Sequence, residues 1–595
     1  MPAPSRLKKH GRMGSHIEKS SLQVNKLSTT STTFLMLFKN ETEKNQKRKM
    51  EAWNGHERKR RKDEDEDEAE KASQFSSSGR ETKKPILKFV SGTATGKSFL
   101  INMLADQLTM KYTKPKTAAT SPAVLLAAPT GLAALNIRGS TIHSLFSIEV
   151  QHGRMLDFKG TDFEDAGSSR ELLRNVKLVI MDEVSMCSNI ILAKLHLRLQ
   201  QIKGNRELFG GVNIIAFGDL LQLPPVLAKP VFEALKPEVV GEVFGSIASP
   251  INLWRMFEYQ ELTMNMRQKE DTKFGEVMGR LRIDMLDAED VDFLKTRLIK
   301  KIKKNVDDDD ESSTIEEAAE YYLRILDEDP TTIALFSTND EVSHFNDTIL
   351  SQLGMKTFTV LAEDVNEASA MDDILDGETA KDRVRKSRIY QRNEFSIVKK
   401  KKKSSKLKPI LKEEDPTGRL CGGLAAKLTL AENARVMLRQ KFGRLVNGAQ
   451  GYLRTVKRRS GEVVSLGVVF DGFKKETKIE RVNAVFNVSR DERRRRSQFP
   501  LTIAYAATVH KSQGMTVNHA VISTRSMFSP GQLFVAFSRV RSLAGLHLID
   551  FFPHKVSCHR ESVLETNRLR ATIGLPSLDV PPEPVKKREK KVVKS

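Results

Sequence analysis

The sequence predicts an α/β protein built on parallel sheets. Three observations predict it. Short apolar runs alternate with helical patterns over about residues 85–260; the runs Val124 to Ala128, Leu178 to Met181 and Asn213 to Phe217 each end in a polar motif; and Leu87 to Leu104 (LKFVSGTATGKSFLINML) reads as strand, small-residue turn and helix. Strands buried on both faces read as continuous apolar runs, and such sheets keep their chemistry at the carboxyl ends of the strands.

The first strand runs into Ser91-Gly92-Thr93-Ala94-Thr95-Gly96-Lys97-Ser98. A turn that wraps a polyphosphate brings backbone N–H groups close to its oxygens, so it needs small residues, and the helix that follows points its positive end at the same anion. In the pattern G-x-x-x-x-G-K-[ST] the lysine reaches the β- and γ-phosphates and the final hydroxyl holds Mg2+. This assigns ATP binding to Ser91 through Ser98, with Lys97 on the phosphates and Ser98 on the metal. Ser91 stands at the pattern's first glycine.

Leu178 to Met181 delivers Asp182 and Glu183. The first acid suits Mg2+ and the second suits orienting and deprotonating a water that attacks the γ-phosphate. Phe217-Gly218-Asp219 continues to Gln222 and the rigid Pro224-Pro225. That segment suits sensing the γ-phosphate and relaying its presence to a neighbouring surface.

A second α/β region opens at Thr332 to Phe336 (TIALF), and its partner strands are expected at Leu501 to Ala507 and His519 to Ile522. Between them lie a charge-biased piece, about 363–418 with the run Lys399 to Lys403, and a strand-rich piece over about 428–490. Turns at Asn447-Gly448, Ser460-Gly461 and Asp471-Gly472 give the latter the look of a small β-barrel.

Lys and Arg number 98 against 76 Asp and Glu, a formal +22 that favours polyanionic partners such as nucleic acid. Cys187, Cys421 and Cys558 are isolated in sequence, which points away from a disulfide framework or a zinc site and fits a reducing compartment. No apolar run approaches membrane-spanning length, and there is no secretory signal. Residues 1 to about 80 show little hydrophobic period and read as a disordered arm. Within it, Lys47-Arg48 followed by Lys59 to Lys62 has the two-cluster layout of a nuclear import signal, and Lys586-Lys587-Arg588 adds another. The competing address is mitochondrial, because Glu18 is the single acidic residue before Glu41.

GDLLQLPPV following DEVSM resembles the motif set of the Pif (petite integration frequency) family of DNA helicases, relatives of RecD in superfamily one. Other stretches agree in order. Ala128-Pro129-Thr130-Gly131 and Gly139 to His143 resemble the family's first DNA-contacting segment, and Leu262 to Gln268 resembles its fourth motif. Ser337-Thr338-Asn339 with Asn346 resembles the start of the second motor domain, and Val446 to Gly451 that of an inserted SH3-like barrel. Ala507 to Thr516 and Gly531 to Arg539 resemble the last two motifs, so the likeness covers about residues 86–553.

The resemblance implies two RecA-like motor domains and roles for particular residues. Lys97, Asp182, Glu183, Gln222, Arg267 and Arg539 would be catalytic, the two arginines stabilising transition-state charge. Thr130, Gly131, Thr141, His143, His510, Lys511, Gln532 and Ser538 would contact DNA. The implied layout is an arm over 1–84; motor domain 1 over 85–261, with a small subdomain at about 144–175; motor domain 2 over 262–362 and 499–555; a charged linker over 363–427; the barrel over 428–498; and a basic tail over 556–595. The implied function is an ATP- and Mg2+-dependent 5′ to 3′ helicase acting on single-stranded and forked DNA as a monomer, away from membranes. The alternative is a catalytically weak relative that serves as a DNA-binding scaffold.

One departure bears on that choice. The family loop is usually G-S-A-G-T-G-K-S, so Ala94 stands where glycine is usual. A Cβ in a left-handed turn costs on the order of 1 kcal/mol. The family's adenine-contacting glutamine has no assigned counterpart; Gln74 lies at about the right distance but in a stretch without helical pattern.

Overall fold

The computed structural model describes residues 84–112, 122–148, 150–151, 154–155, 173–236, 252–299, 313–366, 418, 421–443, 445–487 and 493–581. The N-terminal arm, most of the 144–175 subdomain, the run Lys399 to Lys403 and the cluster Lys586 to Arg588 lie outside the described residues.

The first layer is a six-stranded parallel sheet. Its order is Ser140–Thr141, Val124–Ala128, Leu178–Met181, Asn213–Gly218, Leu87–Ser91, Glu258–Glu261. All five residues of Leu87–Ser91 are buried because helices cover both faces. Helix Lys97–Tyr112 turns Leu100, Ile101, Leu104, Ala105 and Leu108 inward, a 3-4 spacing that makes one apolar stripe.

The second layer is a four-stranded parallel sheet in the order Ala506–Thr508, Ile333–Phe336, Ala520–Ile522, Leu546–Leu548. Helices Ile315–Glu328 and Asn339–Gln352 each start with a reciprocal capping box, Thr314 with Glu317 and Thr338 with Glu341.

The expected strand Leu501 to Ala507 is in fact two strands. Leu501–Ile503 pairs antiparallel with Arg435–Leu438 in the insert, whereas Ala506–Thr508 pairs parallel with Ile333–Phe336. Asn346 holds the crossing point: its Oδ1 accepts from the N–H groups of Tyr505 and Ala506, both at 3.0 Å. Those two donors fall where the chain leaves one ladder for the other, and burial there demands a partner.

The insert is antiparallel. Its main sheet runs Thr477–Ile479, Glu462–Phe470, Gln450–Arg459, Arg435–Leu438, Leu501–Ile503. Among the described residues this order does not close on itself, and the strands Val482–Asn487 and Arg493–Gln498 of the expected barrel pair with each other in a separate sheet. The expected linker contributes strand Glu363–Asn366, which pairs with Arg493–Gln498.

The expected tail after residue 556 also holds structure. Helix Arg560–Ala571 packs Leu569 into the first domain's core. Trp254 Nε1 donates to its Glu565 at 2.8 Å, and Arg570 bonds Glu261. Among the described residues no helix is long and apolar enough to cross a membrane.

Candidate active site

The polar ends of the first sheet's strands meet in a cleft of about 710 Å3 whose other wall comes from the second sheet. Lys97, Ser98, Asp182, Glu183, Gln222, Arg267 and Arg539 all line it. Each sequence-derived catalytic residue is therefore present in one place.

The loop closes as a small-residue turn. Gly96 has φ +76° and Ala94 φ +55°, so the alanine does adopt the left-handed conformation that favours glycine. Its carbonyl accepts from Met266 N (2.8 Å) and Arg267 N (3.2 Å). A Cβ on Gly92 would meet Thr95 Oγ1 at 2.5 Å, so that position tolerates glycine alone. Lys97 Nζ donates to Gly92 O at 2.6 Å, and Thr95 Oγ1 is buried without a hydrogen-bond partner. Ser91 corrects its expected role. It lies buried in the strand beneath the turn and does not line the cleft.

Ser98 Oγ lies 3.4 Å from Asp182 Oδ2. Burial, and then Glu183 alongside, push Asp182 up to about 7, while Lys97 and Ser98 oppose the rise. A hydroxyl and a carboxylate are hard oxygen donors of the kind Mg2+ takes, and the buried acid lacks a full countercharge, so these residues fit that ion. Glu183 has φ +51°, an uncommon conformation for its type. Its carboxylate accepts from Gln513 Nε2 of the second domain at 3.0 Å.

Two arginines complete the cleft. Arg267 Nη1 donates to Ser538 O at 2.6 Å. Arg539 donates to Val535 O (2.7 Å) and Ser538 Oγ (2.8 Å). Burial lowers Arg267 to about 10 and, together with Arg267 itself, Arg539 to about 9. Cations desolvated in this way, bonded to neutral oxygens, favour an anion between them.

The candidate DNA residues divide. Thr130 and Thr141 cap helices Gly131–Asn136 and Ile142–Leu145, each hydroxyl accepting at 3.3 Å from the N–H three residues on. A Cβ on Gly131 would meet Asn447 O at 2.8 Å, so in this conformation the insert's Asn447-Gly448 turn covers that face. His143 and His510 are shifted down by burial, His143 further by Lys194, and Lys511 is lowered to about 8 by burial and then Arg439. Gln532 and Ser538 are corrections. Both are buried: Gln532 Oε1 accepts from Phe528 N and Ser529 N, and the Ser538 hydroxyl holds Arg539, so neither side chain faces a strand.

A model of the PIF1-like helicase family matches residues 58–280. The chain is 25% identical over 521 residues to the ATP-dependent DNA helicase PIF1 of Candida albicans and 24% identical over 515 residues to RRM3 of Saccharomyces cerevisiae. It is 27% identical over 479 residues to Pif1 of Bdellovibrio bacteriovorus. These alignments take in 80%, 80% and 78% of this chain and 54%, 64% and 84% of the relatives. This chain is a homologue of the PIF1-like helicases. The crystal structure of Pif1 helicase from Candida albicans superposes with a TM-score of 0.57 at 22% identity, covering 82% of this chain and 96% of that one. A Bacteroides Pif1 bound to single-stranded DNA gives 0.55 at 22%, covering 84% and 96%. Both likenesses support the PIF1-like fold of two parallel α/β layers.

Within that PIF1-like fold, three groups lacked an assigned role in the sequence. Asp219 and Gln513 lie inside motifs, beside residues that drew the attention. Arg282 ends an ordinary amphipathic helix, Thr272–Arg282, and no local signal marks it. Its guanidinium grips Asp219 through two bonds, Nη2 to Oδ1 at 2.6 Å and Nε to Oδ2 at 3.2 Å.

Proposed function

We propose that this chain is an ATP-dependent DNA helicase that hydrolyses ATP between its two α/β layers and moves 5′ to 3′ along single-stranded DNA, in the maintenance of genomic DNA. The observation that carries the reading is the convergence of Lys97, Arg267 and Arg539 on Asp182 and Glu183 in one interdomain cleft. Cations from both sides meet a phosphate loop from one side, so an ATP bound there bridges the domains.

In this reading the loop N–H groups and Lys97 hold the β- and γ-phosphates. Glu183, oriented by Gln513, takes the proton of the attacking water. Arg267 and Arg539 stabilise the charge that grows on the transferring phosphoryl group. Ser98 and Asp182 would hold Mg2+, which neutralises phosphate charge when bound. Hydrolysis removes the anion that draws the arginines to the loop, so the closed and open states differ in contacts, and that difference can drive a step along the strand. Thr130, His143, His510 and Lys511 serve as phosphodiester contacts in this scheme, which fits a motor that must read any sequence. The basic clusters of the arm support a nuclear address; a tagged chain found in mitochondria would overturn that address.

The test is steady-state ATP hydrolysis with and without single-stranded DNA, comparing the wild-type chain with Lys97→Ala. DNA-stimulated turnover that the substitution abolishes is the expected result. The strained Ala94 favours one rival, a DNA-binding scaffold with little hydrolysis, and DNA binding without turnover in both proteins would establish it.

A further inference from the structure

The phosphate loop departs from the usual pattern at a hydroxyl, and that hydroxyl has a partner. Thr93 stands where alanine is usual, and its Oγ1 donates to Asp219 Oδ2 at 2.5 Å. Asp219 is fully buried at the end of strand Asn213–Gly218. Burial alone would raise its pKa, yet Arg282 outweighs it and, with help from Lys97 and Thr93, holds the carboxyl at about 2. The acid is therefore a permanent anion, paired on one side with a guanidinium and on the other with the loop.

The far end of this chain lies in the second domain. Arg282 closes helix Thr272–Arg282, whose Phe274, Val277, Met278 and Leu281 pack into one core with Leu335 and Leu533. Leu223, four residues after Asp219, enters the same core. The loop conformation and the position of the second domain are thus joined by three side chains.

Ala94 explains why such a tether matters here. Glycine reaches φ +55° without steric cost, whereas alanine pays on the order of 1 kcal/mol and drifts toward other conformers when nothing holds it. The loop is held on both sides of the strained residue, by the Thr93 hydroxyl before it and by the N–H groups of Met266 and Arg267 on its carbonyl.

We propose that Thr93 and Asp219 are positioning residues: the chain Thr93, Asp219, Arg282 keeps the glycine-poor phosphate loop in its anion-binding shape and ties that shape to the seating of the second domain. The proposal rests on the ATPase reading above. A loop that is competent for only part of the time binds nucleotide more weakly by that fraction, so the chain acts on affinity more than on the chemical step. By reciprocity, whatever draws the second domain onto Arg282 tightens nucleotide binding.

The test uses the full chain with Thr93→Val, which removes the hydroxyl at nearly constant volume, and Thr93→Ser, which keeps it. Binding of a fluorescent ATP analogue is measured without DNA, and KM and kcat for ATP with saturating single-stranded DNA. Thr93→Val is expected to raise Kd and KM about tenfold, the loss of one hydrogen bond to a charged group, with kcat within about twofold. Thr93→Ser is expected within about twofold of wild type. Asp219→Asn shifts Kd the same way, and adding Thr93→Val to it weakens binding no further, because both act through one chain. Wild-type Kd in Thr93→Val, or additive losses in the double variant, overturns the proposal and leaves the ATPase reading standing. A wild-type chain that binds no nucleotide overturns both. A merely structural role would lower the melting temperature of Thr93→Val while leaving KM unmoved, which also overturns it.

Discussion

The two parallel sheets of this molecule share an architecture and differ in how the chain builds them. The core strands of the first sheet, from Leu87–Ser91 to Asn213–Gly218, come from one stretch, and each carries its polar motif directly at its end. The second sheet pairs Ile333–Phe336 with Ala506–Thr508, a strand that returns only after the whole insert. The lesson is that local pattern suffices where strand and motif are adjacent. Where a strand borders an insertion, a single buried side chain, Asn346, decides which ladder each residue joins.

The largest effect that would sharpen this comparison concerns the second sheet's contribution to the first sheet's chemistry. Arg539→Lys keeps the charge but loses the guanidinium fork, and turnover at saturating ATP should fall at least about a hundredfold, with DNA binding little changed. Turnover close to wild type would show that the Arg539 guanidinium is not a catalytic group.

Next in size is the first domain's debt to the end of the chain. Leu569→Ala removes a buried side chain from the core shared with the first sheet and should cost about 2–4 kcal/mol in urea unfolding. An unchanged midpoint would mean that helix Arg560–Ala571 is an ornament of the first domain rather than a part of it.

Asn346→Ala leaves the N–H groups of Tyr505 and Ala506 without their acceptor and should cost about 1–3 kcal/mol in the same experiment. A negligible loss would show that the switch between ladders is set by strand pairing alone.

A smaller effect separates the cationic contact of the second domain from the capping threonines of the first. Burial and Arg439 lower Lys511 to about 8, so its ammonium is present below that pH and lost above it. A phosphate contact needs the charged form, so affinity for single-stranded DNA should fall by a few-fold from pH 7 to 9, and Lys511→Met should flatten that dependence. Persistence of the slope in the variant would assign it to another group. Smallest is Ala94→Gly, which relieves a left-handed alanine and should tighten nucleotide binding by up to about 1 kcal/mol.

Much of the nucleotide half was legible because its signals are local. Gly96-Lys97-Ser98, Asp182-Glu183 and Gln222 follow their strands within a few residues, and the structure brings all of them to the cleft. The DNA half was less so. Gln532 and Ser538 sit in a convincing motif, yet both are buried, with Gln532 Oε1 accepting from the Phe528 and Ser529 N–H groups and the Ser538 hydroxyl accepting from Arg539. A motif reports that a residue matters to a site without saying whether it faces the ligand or holds the residue that does.

By itself, then, the sequence determined the α/β class, the phosphate loop and the acids after Leu178 to Met181, because apolar periodicity and small-residue turns act over a few residues. Tertiary structure alone decided the partition of Leu501 to Thr508 between two sheets, the docking of Arg560–Ala571, and the pairing of Arg282 with Asp219. Each of these depends on burial and charge meeting across 63 or more residues, and in the case of Trp254 and Glu565 across 311. Desolvation turns such meetings into strong preferences, and desolvation is a property of the packed molecule rather than of any stretch of its chain.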